Sequence, residues 1–333
     1  MIDEYSFILK GRKALNINNH IHKIIIPTPF AVGDVNSYLL KGDALSLIDA
    51  GPKTPEAWEA LKFGLNEAGV RPEDVEQVVL THHHPDHAGW IDGFDNAKLF
   101  GHPYNDFWLR RDQAFFDFHD TFYLERLKEE GVPEDQLFWI KRMKRPLSLM
   151  GSRPLDMTIN EGDVLPGHAD WAVMETLGHA QSHLSFWNKE TKEMIGGDHV
   201  IAKVSSNPLI EPPLDPSMGR PKSLLQYNAS LSRLLKMPID IIYSGHGEEV
   251  RNVHELITER LAKQHQRAMK VLAMIGNEEK TVYELTVQLF PHAYEKELGL
   301  TLSETIGQID YLLEDGLITE SMDSKGIFYY KEA

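Results

Sequence analysis

A run of closely spaced ligand-type side chains at the end of a hydrophobic strand constrains this chain more than any other feature. Val78, Val79 and Leu80 read as a buried strand that runs straight into Thr81, His82, His83, His84, Pro85, Asp86 and His87. In an extended segment alternate side chains point to opposite sides, so His82 and His84 project together while His83 points away. Pro85 restricts His84 to extended conformations. The turn that must follow brings Asp86 and His87 to the same cavity from its other wall, and such a packet has room for two metal ions. The sequence has 16 histidines and no cysteine, so any metal must be held by imidazole and carboxylate.

The flanking sequence reads as layered α/β structure. Short strands are expected over 23–27, 37–40 and 45–49, and a helix opens at Thr54 and Pro55 and closes at Gly69. Strands recur at 157–160, 172–176, 184–187, 193–196 and 240–243, which places a site at strand ends. Between the two groups, residues 104–139 hold ten aromatic residues, followed by a basic cluster from Lys141 to Arg153. We expect a helical insert over 104–150, acting as a lid or pocket wall, with an ordinary aromatic core helix as the alternative. Trp108, Phe115 and Phe116 are the candidate contacts to an acyl or aryl group. Lys141, Arg142, Lys144 and Arg145 are candidates to meet an anionic carrier such as coenzyme A or glutathione, against the plainer reading of a solvated face. Beyond Val253 come a helix over 254–275, a second opened by a Thr281 and Glu284 capping box, and a third opened in the same way by Thr301 and Glu304. Two short strands around a turn at 323–326 then give a winged-helix-like pattern. The expected organisation is a hydrolase domain over 1–253 and a winged-helix-like domain over 254–333.

His179 in Leu-Gly-His, Asp198 in Gly-Gly-Asp-His and His246 in Ser-Gly-His-Gly each follow a predicted strand, among small residues that let backbone approach a cofactor. This order of motifs resembles the metallo-β-lactamase superfamily of dinuclear metal-dependent hydrolases over roughly residues 20–250. The resemblance implies an α/β fold, the αββα sandwich. It also implies that His82, His84 and His179 hold one ion, that Asp86, His87 and His246 hold the other, and that Asp198 bridges them. Asp86 and Asp198 are then the catalytic carboxylates that tune the charge of the metals. Asp49 matches an early aspartate that orients the ligand loop, and His183 and His199 are expected to support the ligands or line the pocket, whereas His102 and His168 read as structural. The segment from Ser205 to Pro213 either lines the pocket or is an ordinary connection. The C-terminal pattern looks like the winged helix of one branch of the superfamily, which includes thioester hydrolases and ribonucleases. The lack of cysteine and of an export signal argues against a β-lactam substrate, and His84 stands where oxygen-reducing di-iron members carry an acidic residue.

A hydroxide bridging two divalent ions about 3.5–4 Å apart is nucleophilic at neutral pH, and no residue is identifiable as a general acid. This combination favours leaving groups that depart as anions, hence a thioester or activated ester, in the manner of glyoxalase II or an acyl-CoA thioesterase. A phosphodiesterase, an endoribonuclease or a lactonase on the same site is the alternative. The net charge of -16 and the absence of Lys and Arg from 301–315 disfavour nucleic acid as a partner. Zinc suits the ligand set, with iron or manganese tolerated by it. The start of the chain places acidic residues, Asp3 and Glu4, where a secretory signal has basic ones, and no apolar run is long enough for a membrane span, so the expectation is a cytoplasmic enzyme acting on a small molecule, with a homodimer allowed.

Overall fold

Alternation along the strands sorts the apolar residues into separate layers. A computed structural model describes residues 15–18 and 20–333; the amino-terminal stretch on which the export expectation rests lies outside them. Strands β1 (Leu15–Asn16), β2 (Ile21–Ile26), β3 (Val35–Lys41), β4 (Leu45–Ile48), β5 (Gln77–Val79), β6 (Lys98–Gly101) and β7 (Met157–Thr158) form one sheet in that order. Pairing is antiparallel up to β4 and parallel from β4 onward. The second sheet runs β11 (Ile241–Ser244), β10 (Glu193–Gly197), β9 (Leu184–Asn188) and β8 (Trp171–Glu175). Tyr38, Ile48, Val79 and Phe100 of the first sheet share a core with Val173, Phe186, Ile195 and Tyr243 of the second. Their chain neighbours Leu39, Leu47, Val78 and Leu99 point the other way, onto helix α1 (Pro55–Glu67). Met194 and Ile242 likewise face helix α5 (Ser223–Leu234). The layers are therefore helix, sheet, sheet, helix. Each buried Leu, Ile or Phe contributes about 1.5–3 kcal/mol to keeping the sheets face to face.

Helix α1 starts where the sequence places it, because the Thr54 hydroxyl accepts the Ala57 N–H and Pro55 occupies the first turn. The 104–150 segment is helical, with α2 (Pro103–Leu109), α3 (Gln113–Glu129) and α4 (Trp139–Met143). It does not form a free-standing lid. Tyr123, Leu127, Val132, Trp139 and Ile140 share one core with Ala268 and Val271 of α6 (Val253–Ile275), Leu285 of α7 (Val282–Leu289) and Leu298, Leu302, Ile306 and Ile309 of α8 (Leu298–Glu314). The Tyr330 hydroxyl donates to Glu130 Oε2 at 3.2 Å, tying β13 (Phe328–Glu332) to the end of α3 across 200 positions. β13 pairs with β12 (Ile318–Met322) in an antiparallel two-stranded sheet, and its Tyr330 makes a further antiparallel bridge to Lys280.

The Thr281 and Glu284 capping box forms as expected, with Glu284 N–H donating to Thr281 Oγ1 at 3.2 Å and Thr281 N–H to Glu284 Oε2 at 2.9 Å. The matching expectation at Thr301 is corrected. Helix α8 already begins at Leu298, the Thr301 hydroxyl bonds back to the Glu297 carbonyl at 3.0 Å, and Glu304 pairs with Arg267. Helix α8 is buried along most of its length, including Gln308 and Asp310, and Asp310 receives both terminal nitrogens of Arg220. Among the described residues no helix is long and apolar enough to cross a membrane.

Candidate metal centre

The candidate ligands all lie just beyond the ends of strands. His82, His84, Asp86 and His87 follow β5, His179 follows β8, Asp198 directly follows β10, and His246 follows β11. Close approach at this edge requires glycine: a side-chain carbon on Gly245 would collide with Asp198 Oδ1, and one on Gly178 would sit 2.5 Å from Tyr227. The structure brings His82, His84 and His179 together, and separately Asp86, His87 and His246, with ligand atoms within 4.8 Å of one another in each group. Asp198 reaches both. Its Oδ1 lies 3.3 Å from His87 Nε2, and its Oδ2 lies 3.3 Å from His246 Nε2 and 3.6 Å from His179 Nε2.

Hydrogen bonds on the far sides of the rings decide what the near sides offer. His246 Nδ1 donates to the Asp34 carbonyl at 2.8 Å, and His179 Nδ1 to the Asn207 carbonyl at 3.1 Å beside Ser206 Oγ at 2.8 Å. A carbonyl can only accept, so both rings carry their proton on Nδ1. His87 Nδ1 donates to Asp49 Oδ2 at 2.8 Å. The Thr81 hydroxyl spends its one proton on Asp49 Oδ2 at 2.7 Å and therefore accepts from His82 Nδ1 at 3.0 Å. Four Nε2 atoms consequently converge on the cluster, and burial keeps those of His82 and His179 as lone pairs. His82 Nε2 and His179 Nε2 face His84 Nδ1 at 2.9 and 3.0 Å, too few protons for three nitrogens.

The carboxylates face the same deficit. His87 Nε2, His246 Nε2 and Asp198 Oδ1 are buried and make no hydrogen bond. Acceptors packed against acceptors in a buried site repel unless a cation lies among them, and imidazole with carboxylate is a donor set that divalent transition metals take. These residues fit a metal centre. The local field is one that holds positive charge: burial opposes a charged His246, yet Asp198 and Asp86 push its pKa up to about 10, and Asp198, Asp49 and Asp86 raise that of His87 in the same way, so that without a metal ion a proton on Nε2 takes the cation's place. Burial, reinforced by neighbouring imidazoles, holds His82 and His84 well below the usual histidine range. His183 supports the cluster from behind. Its Nε2 accepts the Asp198 backbone N–H at 3.0 Å, and its Nδ1 meets Thr176 Oγ1 at 2.8 Å. His199 lies outside the ligand groups, with its ring against Tyr227 at 5.1 Å and its carbonyl accepting the Tyr227 hydroxyl at 3.0 Å.

A cavity of about 410 Å³ opens beside His84 and Asp86, walled by Trp108, Tyr123 and Trp139 of the insert, Ile210, and Leu300 of α8. Trp108, the candidate acyl contact, lines this cavity. Phe115 and Phe116 do not reach the cavity; they pack around Trp108 behind it, because α3 turns that face toward the first sheet's helical layer. Of the basic cluster only Arg142 lines the cavity, stacked 4.3 Å from the Trp139 ring. Lys144 is held by Asp120 Oδ2 at 2.6 Å, and Lys141 and Arg145 are exposed away from the cavity lining. Sequence reasoning passed over His83 and Glu211. His83 stacks on Trp108 at 4.8 Å, with Nε2 2.9 Å from Glu211 Oε1 and Nδ1 2.8 Å from Ser182 Oγ. The signal for Glu211 was a lone acid among apolar and proline residues in the 205–213 segment.

The sandwich and its edge of converging imidazoles and carboxylates define a metal-dependent hydrolase, and the chain belongs to the metallo-beta-lactamase superfamily, whose family model matches residues 31–246. It is 42% identical over 307 residues to the probable metallo-hydrolase YqjP of Bacillus subtilis (strain 168), a match covering 92% of this chain and 96% of that one. A hydroxyacylglutathione hydrolase of Methylobacterium nodulans is 25% identical over 230 residues, 66% of this chain and 68% of the relative. Among solved structures, a metallo-beta-lactamase family protein of Thermus thermophilus superposes with a TM-score of 0.77 at 26% identity, covering 95% of this chain and 100% of that one.

Proposed function

We propose that the protein hydrolyses a thioester or activated ester with an apolar acyl portion, on two divalent metal ions for which zinc is the best match. His82, His84 and His179 would hold one ion and Asp86, His87 and His246 the other, with Asp198 between them. The observation that carries this reading is the convergence of imidazole nitrogens without hydrogen-bond partners and an unpaired carboxylate oxygen beside an apolar cavity. When bound, such ions supply a nucleophilic hydroxide at neutral pH and positive charge for the developing oxyanion.

The chain's own residues orient and exclude. Asp49, Asp34, Asn207 and Thr81 hold four imidazoles in the tautomer that presents Nε2, and His183 fixes the backbone of Asp198. Trp108, Tyr123, Trp139 and Leu300 exclude water from the space an acyl chain would fill, and Arg142 places one cation on its wall. His83, beside His84, has both ring nitrogens engaged by Glu211 and Ser182, so it offers no free acid to a departing amine. That favours a leaving group with a low pKa such as a thiolate. The similarity to a hydroxyacylglutathione hydrolase, a name denoting hydrolysis of an acylated thiol, supports the same class. The C-terminal helices and two-stranded sheet from residue 254 onward constitute, in this reading, a winged-helix-like domain whose role is to close the cavity against the 104–150 insert, in one chain with the hydrolase domain over 1–253.

The test is metal analysis of replete protein followed by a panel of acyl thioesters, lactones, phosphodiesters and single-stranded RNA. Two ions per chain and the highest kcat/KM on acyl thioesters are expected. A preference for phosphodiesters or RNA would replace this reading with that of a nuclease.

A further inference from the structure

A second cavity, of about 230 Å³, lies between α6 and the segment that follows β10, and it shares no lining residue with the first. Its charged lining is Lys203, Arg260, Lys263 and Arg267 against the single acid Glu259, a concentration of positive charge in a chain of net charge -16. Lys263 is paired with Glu259, Lys203 with Glu248 and Arg267 with Glu304. The two lysine pairs are exposed and water-screened, so they leave both ammonium groups available.

Arg260 differs from the other three. Only 6% of it is exposed, its Nη2 donates to the Ile201 carbonyl, its Nε makes no hydrogen bond, and no described carboxylate pairs with it. A guanidinium carries five N–H groups and keeps its charge. Burying it against one neutral acceptor costs more than that hydrogen bond returns, unless an anion completes the shell. Burial lowers its pKa, and the neighbouring Tyr227 and Glu259 only partly oppose that shift.

We propose that this cavity binds a small tetrahedral oxyanion of the phosphate type, with Arg260 as its anchor and Lys203, Lys263 and Arg267 at the rim. The planar fork of a guanidinium matches two oxygens of such an anion, and the flexible ammonium groups supply the remaining charge. The site is independent of the thioester reading. It is built in part on the backbone between Asp198 and the Ser206 and Asn207 atoms that hold His179, so occupancy bears on a segment that runs from one candidate ligand to the partners of another.

Titration calorimetry of the metal-loaded protein with inorganic phosphate, at constant ionic strength, tests the proposal. One saturable site is expected whose Kd rises about tenfold or more in the Lys203→Glu, Lys263→Glu double variant. Both lysines are largely exposed, at 77% and 66% of the side chain, so the double variant should fold. Phosphate captured at the metal centre would be indifferent to these reversals. Arg260→Met should have a ligand-free Tm no lower than wild type, because an undercompensated buried charge has been removed, and phosphate should no longer raise it. Absence of phosphate binding, equal affinity in wild type and the double variant, or an Arg260→Met protein that loses Tm yet keeps its phosphate response would each overturn the proposal.

Discussion

Asp49 holds His87: its Oδ2 accepts the imidazole Nδ1 proton at 2.8 Å while its Oδ1 accepts the Thr81 backbone N–H at 2.8 Å. Because Oδ2 also takes the Thr81 hydroxyl proton, one carboxylate sets the tautomer of His87 directly and of His82 through Thr81. Asp49→Asn keeps the shape and loses one acceptor oxygen. Metal affinity measured by competition with a chelator should fall about 10- to 100-fold, with little change in the folded fraction. Unchanged affinity would show that the rings are held by packing alone.

Asp198→Ala removes the carboxylate that touches both ligand groups. Metal content of the replete variant should drop below that of wild type, and kcat/KM should fall about a hundredfold or more. Full activity in this variant would defeat a mechanism that joins the two groups.

Leu300 lines the cavity while 42% exposed, whereas Phe115 is 7% exposed behind Trp108. Leu300→Ala should raise KM for long-chain acyl thioesters several-fold more than for short ones and leave stability nearly intact. Phe115→Ala should instead cost about 3–5 kcal/mol in urea unfolding, without discriminating between chain lengths. The reverse pattern would restore Phe115 to the substrate pocket.

His168 provides a pH test away from the metal cluster. Ser46 Oγ accepts Gln77 Nε2 and makes a hydrogen bond with His168 Nε2, at 2.6 Å in each case, and burial pushes the imidazole pKa down to about 4 from 6.5. Between those two values the unfolded chain binds a proton that the folded chain refuses, so stability falls as pH drops from about 6.5 toward 4. In His168→Gln the urea midpoint should decline less steeply across that window. Parallel declines in the two proteins would mean that His168 is protonated in the fold.

Four of the candidate ligands, His82, His84, Asp86 and His87, were legible in the sequence because their arrangement is local: two-residue spacing in an extended segment, a proline, then a turn; His179, Asp198 and His246 were singled out only through the resemblance in motif order. The Thr54 cap is local too, as is the alternation that splits Tyr38 from Leu39 and Ile48 from Leu47. Long-range features were not legible. The acceptors that fix His246 and His179 are backbone carbonyls of Asp34 and Asn207, which any residue supplies. Phe115 and Trp139 look alike as aromatic residues of one insert, and only the packing of α3 and α4 sends one into a core behind the cavity and the other to its wall. Thr301 and Glu304 have the spacing of a cap, but α8 gains its first turn from buried Leu298, upstream of that signal.

The hydrogen bond from Tyr330 to Glu130 has a consequence for how the enzyme comes into being on the ribosome. The insert emerges early, but the apolar faces of Tyr123, Leu127 and Trp139 wait for α8 and the final strand before they are covered. Through most of translation the nascent chain therefore carries a sticky, half-built wall, the kind of surface that chaperones hold. The edge that gathers the candidate ligands is drawn from residues up to His246, whereas Leu300, on the cavity wall, lies more than fifty positions later. The cavity wall is begun, at Trp108, before the edge of candidate ligands is complete at His246, and it is finished after it, at Leu300.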